Sequence, residues 1–236
     1  MSIEKTASKN EVLFVWFNRY AGVAIKTPSK TLAIDPVDVK SKDLKNVDAI
    51  LISHEHYDHL DQPLISEIHK LTHCAVIADS TSATRLQNVI PSEKLQTVRP
   101  GSEINFDEVT VKVEECNHPP AATPVSFVLT SEDLVKIFHT ADSLPFPEMT
   151  DIGKREKIDV AFCTVGIAPC ASPETGLDIA RLVKPKVAVP YHTGVAADQK
   201  RFAELVKKEL PRVSTLVPEV GKIYQVTKGA RTTKRS

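Results

Sequence analysis

Residues 47–59 limit the fold more than any other stretch. The apolar run Val47-Asp48-Ala49-Ile50-Leu51-Ile52-Ser53 passes without a spacer into His54-Glu55-His56-Tyr57-Asp58-His59. A short, nearly continuous apolar segment with branched residues reads as a buried strand. The loop leaving a strand end can aim several side chains at one point, and imidazole nitrogen with carboxylate oxygen is the ligand set of zinc and its divalent neighbours. His54, His56, Asp58 and His59 are more candidates than one tetrahedral site takes from one loop, so the spacing suggests two adjacent metals. The helical H-E-x-x-H site is absent, because the residue four after His54 is Asp58.

With 236 residues the chain has room for one medium domain and its core. Apolar content of 42% and charged content of 25% suit a globular protein. A formal net charge of zero argues against general attraction to nucleic acid or an anionic membrane. Met1–Asn10 lacks the apolar stretch of a secretory signal, and no run reaches membrane-spanning length, so the expected compartment is the cytoplasm. Cys74, Cys116, Cys163 and Cys170 show no paired spacing and read as reduced and mainly core-filling, with Cys116 a less favoured soft ligand.

Strands are expected at Val12–Phe17, Val23–Thr27, Thr31–Ile34, Cys74–Ala78, Val109–Val113, Val125–Thr130, Leu134–Phe138, Val160–Thr164 and Val187–Val189. Helices are expected from Asp61 (N-cap) through Lys70, over Ser82–Val89, from Ser172 (N-cap) through Val183, and over Asp198–Leu210. Strands followed by interleaved strands and helices imply α/β sheets covered by helices. The basic tail from about residue 222 to 236, with Lys222, Lys228, Arg231, Lys234 and Arg235, reads as a frayed end. Further ligands are expected at other strand ends: His118 after Val109–Val113, Asp142 after Leu134–Phe138, and His192 after Val187–Val189.

With those residues in place the chain resembles a metallo-β-lactamase superfamily hydrolase, through H-x-H-x-D-H at His54–His59 and the later His118, Asp142 and His192 in family order. The resemblance covers about residues 11–195. Within the superfamily it is most similar to the compact branch of ascorbate-6-phosphate lactonase-like proteins, through Leu32-Ala33-Ile34-Asp35-Pro36, Pro100-Gly101 and Lys184-Pro185-Lys186-Val187. The resemblance implies a single four-layer αββα sandwich domain. It places His54, His56 and His118 on one metal and Asp58, His59 and His192 on a second, with Asp142 bridging. Zinc is the expected metal, with manganese or iron as substitutes. Relatives commonly carry Gly-His in the first loop, where this chain reads Phe17-Asn18-Arg19-Tyr20-Ala21-Gly22.

The implied activity is hydrolysis of an ester, lactone, amide or phosphoester bond by a metal-bound hydroxide, with Asp58 or Asp142 orienting it. The expected partner is a small molecule, anionic if Arg19 clamps a carboxylate or phosphate. Tyr191, Tyr20 and Tyr57 are further candidate contacts, although packing is the simpler role for each. His139 is either a proton carrier or a support, and His69 with His73 reads as a surface pair. Two other activities compete: a nuclease or phosphodiesterase on the same metals, and a di-iron redox protein of the same fold. The motif serves many substrates, so neither substrate nor oligomeric state follows from it.

Overall fold

The computed structural model describes residues 5–229 and 232–234. The chain opens with strands β1 (Glu11–Trp16), β2 (Val23–Lys26), β3 (Thr31–Ile34) and β4 (Ala49–Ile52), followed by helix α1 (Gln62–Thr72). Strand β5 (Ala75–Asp79), helix α2 (Ser80–Leu86) and strand β6 (Leu95–Val98) complete this half. The second half holds β7 (Glu103–Phe106), β8 (Val109–Glu115), β9 (Val125–Thr130), β10 (Lys136–His139), α3 (Met149–Glu156), β11 (Val160–Thr164), α4 (Pro173–Val183), β12 (Val187–Tyr191), α5 (Ala196–Glu209) and β13 (Ser214–Thr215). Strands β14 (Ile223–Thr227) and β15 (Thr232–Lys234) return to the first sheet.

One sheet has the order β15-β14-β1-β2-β3-β4-β5-β6 and the other β13-β12-β11-β10-β9-β8-β7. Strands buried on both faces read as continuous apolar runs, and the alternation within each run decides which layer a side chain enters. In β1, Val12, Phe14 and Trp16 face the second sheet, where Val111, Phe127, Phe162 and Val189 share their core. Leu13 and Val15 point the other way, into a core with Ile65, Ile68 and Leu86 of α1 and α2. A third core joins Phe138, Ala161 and Cys163 to Ile152, Leu177 and Phe202 of α3, α4 and α5. The result is the α/β sandwich of four layers, αββα.

Helix starts follow their caps. Asp61 accepts from Leu64 N at 3.0 Å, and Ser172 with Thr175 forms a reciprocal cap behind Pro173. Asp79 caps α2, which therefore begins at Ser80 rather than Ser82. Leu134 is exposed at φ +62 in the turn before β10, so that strand starts two residues later than the apolar pattern suggests.

Three expectations need correction. The frayed end beginning near Lys222 is instead a strand, because β14 pairs antiparallel with β1 from Glu11↔Thr227 to Val15↔Ile223 and Lys234 meets Glu219 at 2.5 Å; Arg231 and Arg235 lie outside the described residues. His69 is buried, its Nδ1 2.9 Å from Cys74 O, and is not a surface residue. Cys74 and Cys163 fill core, whereas Cys170 is exposed. No helix among the described residues is long and apolar enough to cross a membrane.

Candidate metal centre

Strands β3 to β6 run parallel, as do β10 to β13. In such sheets functional side chains collect beyond the carboxyl ends of the strands. Here those ends deliver Asp35 after β3, His54–His59 after β4, Asp142 after β10 and His192 after β12, and His118 joins them from the loop after β8. Val125 N donates to Ser53 O at 2.9 Å, tying the start of β9 to the residue before His54 and so fixing one sheet against the other.

The seven candidate ligands gather into two groups whose donor atoms lie within 4.8 Å of one another: His54, His56, His118 and Asp142, then Asp58, His59, Asp142 and His192. Asp142 divides its carboxylate between them. Its Oδ1 is 2.9 Å from His192 Nε2 and 3.1 Å from His59 Nε2, while Oδ2 is 3.8 Å from His54 Nε2 and 3.7 Å from His118 Nε2. Asp58 Oδ2 approaches His192 Nε2 at 3.7 Å and His59 Nε2 at 4.0 Å.

Two observations fit cations to these groups. His54 Nε2 is fully buried without a hydrogen-bond partner, which is costly for a polar atom that nothing else satisfies. Facing imidazole nitrogens stand 3.2 Å apart in each group, His56 Nδ1 to His118 Nε2 and His59 Nε2 to His192 Nε2. Two nitrogens bound to one tetrahedral zinc at about 2.0–2.1 Å would stand ~3.3 Å apart.

The electrostatics agree with that use. Burial, reinforced by neighbouring His59, presses the His54 imidazole well below its ordinary pKa and keeps it neutral with a free lone pair. Burial also lowers His118, against the pull of Asp142. For His59 burial works in the same direction, but Asp142 and then Asp35 outweigh it and raise its pKa well above the usual range, so the two carboxylates favour a positive charge at this ring, proton or cation. Burial opposes the charge on Asp142, yet His59 and His192 draw its carboxyl well below the ordinary value.

The surroundings of the ligands explain their aim. Buried Asp35, at φ +48, accepts from Ser53 N at 2.8 Å and Ser53 Oγ at 2.6 Å, and its Oδ2 sits 2.8 Å from His59 Nδ1. In the sequence Asp35-Pro36 counts only as part of the phrase that carries the branch resemblance, with no role for its side chain; this carboxylate fixes the tautomer and orientation of His59. Glu55 turns away from the groups, its carbonyl accepting from Arg85 at 2.7 Å and its Oε1 from Ala122 N at 2.9 Å. Cys116 belongs to neither group, and its thiol, pushed up in pKa by burial, lies 3.9 Å from Thr140 O. His139 is buried with Nε2 2.8 Å from Ala21 O and belongs to neither group.

Tyr191 is fully buried and cannot meet a substrate, which corrects the expectation for it. Strand β12 continues two residues past Val189, and the alternation turns Tyr191 into the inter-sheet core. Its hydroxyl donates to Ala141 O at 2.8 Å, and Thr164 Oγ1 donates to the same carbonyl. Ala141 is at φ +51, so these bonds hold the strained residue that carries Asp142. Asp35, Ile167 and His192 are also at positive φ, conformations that cost about 1–3 kcal/mol each and cluster at functional sites.

Arg19 and Tyr20 do stand at the rim. Asn18, buried in the loop that replaces the expected Gly-His, donates to Val37 O at 2.8 Å and accepts from Tyr20 N and Gly22 N. This clamp turns Arg19 outward, its guanidinium 5.0 Å from the Tyr20 ring centre, and the Tyr20 ring lies 6.2 Å from that of His192.

Comparison with known proteins agrees with this arrangement. The model of the family described as a beta-lactamase superfamily domain matches residues 21–193. A UPF0173 protein of Pyrococcus abyssi is 31% identical over 201 residues, 84% of this chain and 90% of the relative. A UPF0173 metal-dependent hydrolase of Bacillus cereus is 31% identical over 199 residues, 75% of this chain and 84% of the relative. The solved structure of Igni18, a metallo hydrolase from Ignicoccus hospitalis, matches with a TM-score of 0.74 at 20% identity, over 96% of this chain and 99% of that one, a likeness of fold. With a family model over most of its length and relatives aligned over three quarters of it or more, the chain belongs to the beta-lactamase superfamily, alongside the UPF0173 metal-dependent hydrolases.

Proposed function

We propose that the chain is a two-metal hydrolase acting on an ester, lactone, amide or phosphoester bond of a small molecule, with zinc the best-suited ion. The observation that carries this reading is the split carboxylate of Asp142, which offers one oxygen to each group of ligands. His54, His56 and His118 would hold one ion, and Asp58, His59 and His192 the other. When bound, such ions supply Lewis acidity that lowers the pKa of water towards neutrality and steadies negative charge on the substrate.

The remaining chemistry belongs to the chain. Asp58, a member of the second group, would orient the attacking water and accept its proton. Asp35 holds the His59 ring so that Nε2 faces Asp142. Arg19 at the rim offers a planar cation to an anionic substituent. The test is elemental analysis of protein saturated with zinc or manganese, followed by a screen of lactone, ester and phosphodiester substrates. Two ions per chain and turnover of one class are expected; a protein that takes up no metal under saturation would end the proposal.

A further inference from the structure

Several of the large apolar side chains exposed to solvent stand within three residues of a candidate ligand or of a residue bonded to one. Tyr57, 79% exposed, lies between His56 and Asp58; Val195, 54% exposed, follows His192 by three residues; Ile167, 45% exposed, follows β11. Val217 and Val220, 41% and 48% exposed, sit on the segment that Gly221 N bonds to Trp16 O, beside the loop carrying Arg19 and Tyr20. Single exposed apolar residues are ordinary, but a group of them around one opening marks a binding surface.

Ile167 is held there against its own preference. Ala168 N donates to Gly166 O at 2.6 Å, closing a three-residue turn with the β-branched Ile167 at φ +56. Turns of this kind with positive φ are rare and strained. The same Gly166 carbonyl lies 3.3 Å from His192 Nδ1, so the strained turn is joined to a candidate ligand. On the facing side, a Cβ built on Gly194 would stand 3.7 Å from Arg19 Cδ, which sets the cation against the loop that presents Val195.

We infer that Ile167 and Val195, with Tyr57, form an apolar wall that selects a substrate carrying a hydrocarbon group, acyl or aryl, together with the anion read by Arg19. The inference rests on the hydrolase reading and adds the substrate class to it: an amphiphilic anion whose apolar part lies along the mouth while the hydrolysable bond reaches the two ligand groups. A small, wholly polar substrate would leave this wall wet and the strain at Ile167 without a use.

The test titrates the full, metal-loaded chain with acetate, butanoate and octanoate by calorimetry. Half of the added methylenes reaching the wall would make octanoate bind about tenfold tighter than butanoate. Ile167→Asn, which tolerates positive φ, combined with the near-isosteric Val195→Thr, should abolish that difference while leaving acetate binding and metal content unchanged. Equal affinity for all three acids, or a chain-length preference that survives in the double variant, overturns the inference. So does a wild-type dimer that the double variant dissolves without changing the preference, since the wall would then be covered by a second copy. Matched p-nitrophenyl esters run on the same preparation separate the two readings. Turnover without chain-length dependence removes the apolar wall alone; chain-length-dependent binding without turnover of these esters removes simple esters from the hydrolase reading and supports the wall.

Discussion

Replacing Asp35 by Asn tests whether the second ligand group is prepared for a cation by its surroundings. The wild-type carboxylate meets three groups within 2.6–2.8 Å: Ser53 N, Ser53 Oγ and His59 Nδ1. The amide keeps one oxygen for Ser53 N but turns an NH2 towards the other two. Ser53 Oγ can rotate and accept. The imidazole must present a lone pair at Nδ1, which moves its proton to Nε2, the atom that faces Asp142 and His192. A ring in that tautomer ligates only after losing the proton, and changes of this type weaken metal affinity by about 10–100-fold, or about 1.4–2.7 kcal/mol. The first group lacks His59 and reaches Asp35 only through Ser53 Oγ, 3.0 Å from His54 Nδ1, so its affinity should change less. Calorimetric titration of metal-free protein with zinc would show two wild-type steps, with the second weakened more than the first in Asp35→Asn. If both steps keep their affinities within twofold in a folded variant, the argument that Asp35 sets the His59 tautomer is wrong.

Other expectations follow from the same geometry. Asp142→Ala should weaken both metal steps and abolish hydrolysis while the melting transition persists; wild-type turnover in that variant would refute the bridging role. Tyr191→Phe removes one of the two bonds to Ala141 O and should lower stability by about 0.5–1.5 kcal/mol, measured by urea unfolding, with a loss of kcat larger than any change in KM; an unchanged kcat would separate the strained turn from catalysis. Buried Glu156 resists charging through its burial, yet Lys136 at 2.6 Å, Lys112 at 3.0 Å and Arg155 at 3.0 Å bring its pKa down to about 2. A depressed folded pKa means stability that is present above the ordinary value near 4.5 and lost as pH falls towards 2. Solvent screening of the partly exposed cations reduces this to about 1–2 kcal/mol. Glu156→Gln should flatten the stability profile across that window, and parallel profiles for variant and wild type would count against the cluster.

The sequence made the centre of the sandwich readable and its margins obscure. Strand β4 is covered on both faces, so its residues are all apolar, and the break to polar ligands at its end is sharp. Helices α1 and α4 announce themselves through Asp61 and through Ser172-Pro173, whose capping is local chemistry. Strands β6 and β7 expose much of their length, which leaves polar residues such as Gln96 and Asn105 in the pattern, and their place in the sheet is set by neighbours. Helix α3, with Gly153 and several charged residues, owes its position to packing on α4, where a Cβ at Gly153 would come within 2.2 Å of Val183 O. The roles of the site residues divide in the same way. The seven ligand candidates stand just after apolar strands and are visible one by one, but the role of Asp35 depends on β3 lying parallel to β4, which brings Ser53 and His59 to its carboxylate. Tyr191 was misleading because its neighbour His192 faces the opening while the strand turns Tyr191 inward.

Each ligand group draws donors from both sheets: His54 and His56 meet His118 and Asp142, and Asp58 and His59 meet Asp142 and His192. Neither half of the sandwich can therefore complete a coordination sphere by itself, and cations bound there would act as rivets across the seam already closed by Val125 and Ser53. Occupancy then becomes a measure of how the halves are joined. At a free ion concentration a hundredfold above its dissociation constant, one site adds about 2.7 kcal/mol to the folded state. By the same linkage, a substitution in the inter-sheet core that alters the fit of the halves, such as one at Val160 at the amino end of β11, would be felt as a change in metal affinity at the edge.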